Sequence, residues 1–352
     1  MNDGTCPEPS RDPRIARGAT RRAPSYGKLH RMSAPSDRPL ALLDAASLYF
    51  RSFFALPESL RAPDGTPVNA VRGFADTVAR ILTDRKPERL VACLDADWRP
   101  QFRVDLLPSY KAHRVAEEGA EEAADGTIAE EVPDTLSPQV PIILDLLEAC
   151  GLATAEAAGY EADDVIGTLT ARERTNPVEV ITGDRDLFQL VRTEPTPASV
   201  IYVGKGWAKA DVLTPADIAR RYGVPETDAG AAYAAMAVLR GDPSDGLPGV
   251  TGIGEKTAAK LITRFGSLPG LLDAARDEHP DVPKRVRTQL AAAADYLAVA
   301  PTVVAVVPDA PVTFSRDDRV PDGPAAPERV AELAERWNLG GSADRLLAAL
   351  GG

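Results

Sequence analysis

Two short strings carry most of the chemistry in this 352-residue chain: Gly159-Tyr160-Glu161-Ala162-Asp163-Asp164-Val165-Ile166-Gly167 and Val180-Ile181-Thr182-Gly183-Asp184-Arg185-Asp186. In each, carboxylates fall where apolar neighbours predict a buried helix start or a strand end. Like charges crowd an apolar frame only when something cationic sits among them. Hard oxygen donors select divalent metals, and divalent metals held by carboxylates imply phosphate chemistry. Four more acids share such settings. Asp44 and Asp95 end strand-like apolar runs, and Asp242 and Asp245 lie in a turn-rich stretch, 239–248. Glu161, Asp163 and Asp164 open a helix, where the dipole favours anions. Helix capping or a solvated turn would explain any one of the nine, but not all nine in motifs bounded by apolar residues. His30, His113 and His279 form no arrangement suited to a general base.

The elements that must position these acids follow from periodicity. A strand over 39–44 leads into a helix from about Ala45 to Ala55. After a Pro/Gly loop, a helix from Asn69 to about Thr83 precedes a second strand over 89–95. An amphipathic helix over 138–150, stopped by Gly151, and a helix over 163–173 come before the strand 178–182. This order suits a parallel sheet with right-handed crossovers, whose ligands bind at the carboxyl ends of the strands. Asp44, Asp95 and Asp184 should therefore converge. From about Trp207 the pattern turns helical, and Leu247 to Ala258 reads as a glycine hairpin between two helices. Gly249, Gly252 and Gly254 would allow close backbone approach and leave helix N–H groups exposed. There is no internal repeat.

Length and composition fit one large or two medium α/β domains. No apolar run approaches the roughly 18 residues of a membrane span, so a soluble protein without membrane partners is expected. Cys6, Cys93 and Cys150 lack metal-ligand spacing and suit a reducing cytoplasm, with Cys93 and Cys150 buried. The net charge of −12 is awkward for a nucleic-acid enzyme, but eight acids and no base between 117 and 134 account for most of it. That stretch reads as a mobile acidic insert. Residues 1–37 are rich in Arg, Pro and Ser and predict a disordered basic tail, with Met32 an alternative start.

With these residues in hand, the chain resembles the 5′-nuclease (flap endonuclease-like) family. The specific likeness is to the bacterial 5′–3′ exonuclease that also forms the N-terminal domain of family A DNA polymerases. The resemblance rests on Leu43-Asp44, Asn69 to Phe74, Leu94-Asp95, Tyr110-Lys111-Ala112-His113-Arg114, Tyr160 to Asp164, Thr182 to Asp186, and Gly241-Asp242 through Ala258, in family order. It implies an α/β, PIN-like parallel-sheet nuclease core with a helical arch over 38–205, the acidic insert 115–137 lying in the arch. A helix-hairpin-helix (helix-three-turn-helix) domain over 206–305 would follow, then an extension over 306–352 with a short helix pair.

The resemblance further implies two ions, Mg²⁺ or Mn²⁺. Asp44, Asp95, Glu161, Asp163 and Asp164 would gather around one, and Asp184, Asp186, Asp242 and Asp245 around the other. Lys111, Arg114 and Arg51 would meet the reacting phosphate. Tyr110 would either stack on a terminal base or simply pack. Gly249, Gly252, Gly254, Lys256 and Lys260 would hold duplex phosphates, with K⁺ on the hairpin carbonyls. The implied protein is a stand-alone, monomeric, cytoplasmic 5′–3′ exonuclease and flap endonuclease. It would act on DNA 5′ ends, flaps or nicks in primer removal and repair, beside a DNA polymerase partner. The eight acids of the insert depart from the family pattern and would repel a threaded strand. Two rival readings remain: a non-catalytic junction-binding module, and a PIN-type ribonuclease.

Overall fold

The computed structural model describes Met1 and residues 37–115 and 133–351. The basic tail and the acidic insert read from the sequence fall outside the described residues, apart from their edges. In chain order the elements are β1 (Leu40–Asp44), α1 (Ala45–Ala55), α2 (Asn69–Arg85), β2 (Arg89–Cys93), α3 (Gln101–Leu106), α4 (Gln139–Cys150), β3 (Ala153–Glu156), α5 (Ala162–Arg172), β4 (Val178–Thr182), β5 (Ala198–Tyr202), β6 (Asp211–Leu213) and α6 (Pro215–Tyr222). There follow α7 (Ala229–Arg240), α8 (Glu255–Phe265), α9 (Leu268–Arg276), α10 (Lys284–Ala292), α11 (Ala294–Val304), β7 (Thr313–Phe314), α12 (Pro327–Arg336) and α13 (Gly341–Leu350).

The strands form one sheet in the order β6-β5-β4-β1-β2-β3-β7. The inner five pair in parallel, and β6 and β7 close the edges antiparallel. β1 and β4 are buried at every position, as continuous apolar runs covered on both faces must be. Side-chain alternation assigns each strand to two cores. Leu40, Leu42, Val91 and Cys93 join an apolar cluster with α5 and the helical half of the chain. Ala41, Leu43, Leu90 and Ala92 face the other way, onto α2 and α4.

The expected strands and the helices around them are present, with bounds that match or shift by at most two residues. Of the strands that were not expected, β3, β6 and β7 have only two to four residues, and β6 and β7 lie at the edges, whereas β5 is as long as β1 and lies inside the sheet. β2 stops at Cys93, so Asp95 lies two residues past the strand end. Residues 306–352 contain the expected helix pair, but they are built into the α/β core rather than appended to it. β7 pairs with β3, and Val330, Leu333, Leu339, Ala343, Leu346 and Leu350 join Val71, Phe74 and Val78 in one buried cluster. Arg345 reinforces this docking by reaching Asp76 on α2 from α13.

Removing a buried leucine leaves a cavity and costs about 2–5 kcal/mol. Leu346→Ala should therefore lower the urea midpoint of the whole core in a single transition. An unchanged core midpoint would mean the C-terminal helices fold independently of the sheet.

Candidate active site

At the carboxyl ends of β1, β2 and β4 the backbone turns away from the sheet, and each turn delivers one carboxylate. Asp44 is the last residue of β1 and the N-cap of α1, accepting the Ser47 N–H at 3.0 Å. Its other oxygen accepts the Thr182 hydroxyl at 2.6 Å from the end of β4. Asp95 follows β2 and is held by the Ala162 N–H at 2.8 Å, at the start of α5. Asp163 projects from the first turn of α5, and Asp184 follows β4. These four line one cavity of about 800 Å³ together with Glu161, Arg51, Lys111 and Arg114.

The electrostatics of this cavity are out of balance. Burial pushes Asp44 up to about 7, and Asp95 and Asp184 add to the effect against its two hydrogen bonds. Burial, then the charges of Asp44, Asp184 and Glu161, raises Asp163 well above the usual carboxylate range. Asp95 is raised by burial in the same way. Asp163 makes no hydrogen bond or ion pair among the described residues. Two internal cations offset part of the charge. Lys111, at the edge of the cavity, pairs with Glu161, which keeps its ammonium charged against the effect of burial. Its backbone is left-handed, with φ 47°, a conformation costly for a non-glycine residue.

The second cation was not read from the sequence. Arg103 on α3 is 2% exposed and donates to Glu161 at 2.7 Å and to both oxygens of Asp164 at 2.7 Å. It also donates to the carbonyls of Val303 and Ala305. Its only sequence sign was a lone base in the short apolar helix before Tyr110-Lys111. Asp164 is consequently placed away from the cavity. It is fully buried, spent on Arg103, and accepts the N–H groups of Val307 and Glu161. Tyr110 is likewise buried, and its hydroxyl donates to Glu161 at 2.7 Å. Of the two roles read for it, packing is the one its position allows.

The remaining acids form a neighbouring group. Asp186 is raised by burial and then by Asp184, Asp245 and Asp242, with Arg240 opposing. The turn carrying Asp242 and Asp245 is docked on the Lys111 segment. The Lys111 N–H donates to the Asp245 carbonyl at 3.0 Å, and Ser109 donates to the Gly246 carbonyl at 2.8 Å. Arg114 pairs with Asp245 at 2.8 Å, and Arg51 donates to the Gly204 carbonyl, so neither guanidinium is wholly free. In the glycine hairpin, Gly249 is packed backbone to backbone, and a Cβ there would lie 2.5 Å from the Arg240 carbonyl oxygen. Gly252 and Gly254 are exposed ahead of α8, and Lys256 and Lys260 are exposed one turn apart on it.

Among the described residues, no three His, Cys, Asp or Glu side chains close tightly enough to enclose a metal ion. The donor set nevertheless fits one. It consists of carboxylate oxygens alone, with Asp44, Asp95 and Asp163 raised by burial and neighbouring charge and Asp163 unpaired among the described residues, which is the chemistry a hard divalent cation satisfies.

Comparisons with known proteins agree with this geometry. Residues 39–223 match the family model of the 5′–3′ exonuclease N-terminal resolvase-like domain, and 229–326 match its C-terminal SAM fold. The chain is 57% identical over 313 residues to the 5′–3′ exonuclease of Mycobacterium tuberculosis, covering 89% of this chain and 98% of that one. It is 38% identical over 255 residues to DNA polymerase I of Mycobacterium leprae, covering 72% of this chain and 26% of the polymerase. Among solved structures, the T5 D15 protein co-crystallised with metal ions superposes with a TM-score of 0.57 at 19% identity, covering 89% of this chain and all of that one. The catalytic core of Rad2 with a DNA substrate reaches 0.54 at 16% identity, covering 89% and 92%. At such identities these two likenesses speak for the fold.

A carboxyl raised to about 7 stabilises the metal-free fold while protonated and loses that contribution as pH rises through 7. A divalent cation must displace the proton to bind, so the rise in Tm on adding Mg²⁺ or Mn²⁺ should be larger at pH 8 than at pH 5.5. Equal increments at both pH values, or none, would contradict the ligand assignment.

Proposed function

The chain belongs to the 5′–3′ exonuclease family, and on that premise we propose that the carboxylate cavity is its active site. There it hydrolyses DNA phosphodiester bonds from 5′ ends and at 5′ flaps or nicks, in primer removal and repair. The observation that carries this reading is the meeting of Asp44, Asp95, Asp163 and Asp184 in one cavity with Lys111, Arg114 and Arg51.

Asp44, Asp95 and Asp163, with Glu161 beside them, would hold one Mg²⁺ or Mn²⁺, and Asp184, Asp186, Asp242 and Asp245 a second. When bound, such a pair supplies an activated water and charge stabilisation for the attacking and leaving oxygens. The chain's own residues do the rest. Lys111, kept charged by Glu161, and Arg114, held by Asp245, present cations to the phosphate as negative charge develops on it. Arg51 offers its remaining donors from α1. Asp164 and Glu161 act chiefly by fixing the start of α5 through Arg103, which orients Asp163.

The exposed N–H groups ahead of α8, with Lys256 and Lys260, would grip duplex phosphates without reading sequence, and the hairpin carbonyls would take K⁺. A monomer working in the cytoplasm beside a DNA polymerase is the setting this reading implies.

Asp163→Ala and Asp184→Ala should each lower Mg²⁺-dependent cleavage of a labelled 5′-flap by about 10³-fold or more while leaving flap binding within a few-fold of wild type. Wild-type cleavage by both variants would defeat the assignment.

A further inference from the structure

Part of the cavity lining is left unused by the ions and the reacting phosphate: Phe50, Phe54 and Ala55 on α1, and Lys205 and Gly206 in the β5–β6 loop. Phe54 is 73% exposed, whereas its neighbour Phe53 is 5% exposed and meets it edge-on at 5.1 Å. Leaving such a ring in water forgoes the gain of burying it. Phe50, Arg51, Phe54 and Ala55 recur at helical spacing and share one face of α1.

Lys205 is exposed and makes no hydrogen bond or ion pair among the described residues, although it lines a cavity rich in carboxylates. Its backbone is fixed. The Arg51 guanidinium donates to the Gly204 carbonyl, the Val203 N–H donates to the Thr182 carbonyl at 2.8 Å, and the Gly206 N–H donates to the Val203 carbonyl at 2.8 Å. The same arginine therefore ties the helix bearing Phe54 to the loop bearing Lys205. The result is a bare aromatic face and an unpaired cation on one anchored rim.

We propose that Phe54 and Lys205 form a subsite for one nucleotide adjoining the reacting phosphodiester, Lys205 taking a backbone phosphate and Phe54 the face of its base. The pairing matches single-stranded nucleic acid, which offers a charge and a π-face at every residue. Neither side chain carries a donor and acceptor pattern able to read a base edge, so the subsite is sequence-tolerant. This inference rests on the reading of the cavity as the active site.

The test measures binding of a labelled 5′-flap by fluorescence anisotropy across a salt series, with 2-aminopurine placed beside the cleavage position. Lys205→Ala should raise Kd about three- to tenfold and reduce the slope of log Kd against log salt by about 1. Phe54→Ala should raise Kd by a similar factor with the slope unchanged, and should abolish 2-aminopurine quenching. Both positions are exposed, so an unchanged Tm is expected to show that the fold is intact. Wild-type Kd, slope and quenching in both variants would overturn the subsite. Asp163→Ala separates the two ideas. If it is inactive while the Lys205 and Phe54 variants bind normally, the subsite alone fails. If both it and Asp184→Ala still cleave, the active-site reading fails and the subsite with it.

Discussion

The constraint on which the structure depends is the packing of like-charged carboxylates at the end of a buried parallel sheet. Three strand ends and one helix start must each deliver an acid to a common cavity, and the sheet's own geometry brings them there. Desolvation and mutual repulsion raise Asp44, Asp95 and Asp163, so the protein without ions holds its acids in an unfavourable state. Metal binding would convert that unfavourable state into affinity, because a divalent cation relieves repulsion at several oxygens at once.

A fixed internal counter-charge keeps the arrangement from coming apart. Arg103 ties Glu161 and Asp164 at the start of α5 to the carbonyls of Val303 and Ala305 at the end of α11. The chain after α11 then runs closely along α5. The Asp164 carboxylate accepts the Val307 N–H, Thr168 bonds the Val307 carbonyl, and Gly167 leaves no room for a Cβ against Val306. Breaking such a buried pair from one side is costly, because it strands a charge away from water. The helical half of the chain is thus locked to the helix that carries the acids.

Much of this was legible in the sequence. Asp44, Asp95 and Asp184 were expected to converge because they end strand-like runs, and they line one cavity. What could not be read depended on long-range partners. Asp164 looked like its neighbour Asp163, yet one helical position turns it inward to Arg103, a residue 61 positions away whose role no local pattern announces. Tyr110 was ambiguous until its hydroxyl was placed on Glu161. Short edge strands such as β6 and β7 carry too few residues for a periodic signal, and β7 is a strand only because β3 is there to pair with it. Of the nine acids, those at strand ends were the easiest to place, and those in turns owe their positions to the docking of residues 242–246 on 109–114.

The most direct measurement is diffraction from crystals grown with Mn²⁺, with anomalous maps recorded at the manganese edge. Peaks are expected among Asp44, Asp95, Asp163 and Asp184, with Asp164 still bound to Arg103. Maps showing no anomalous peak in that cavity at saturating Mn²⁺ would contradict it.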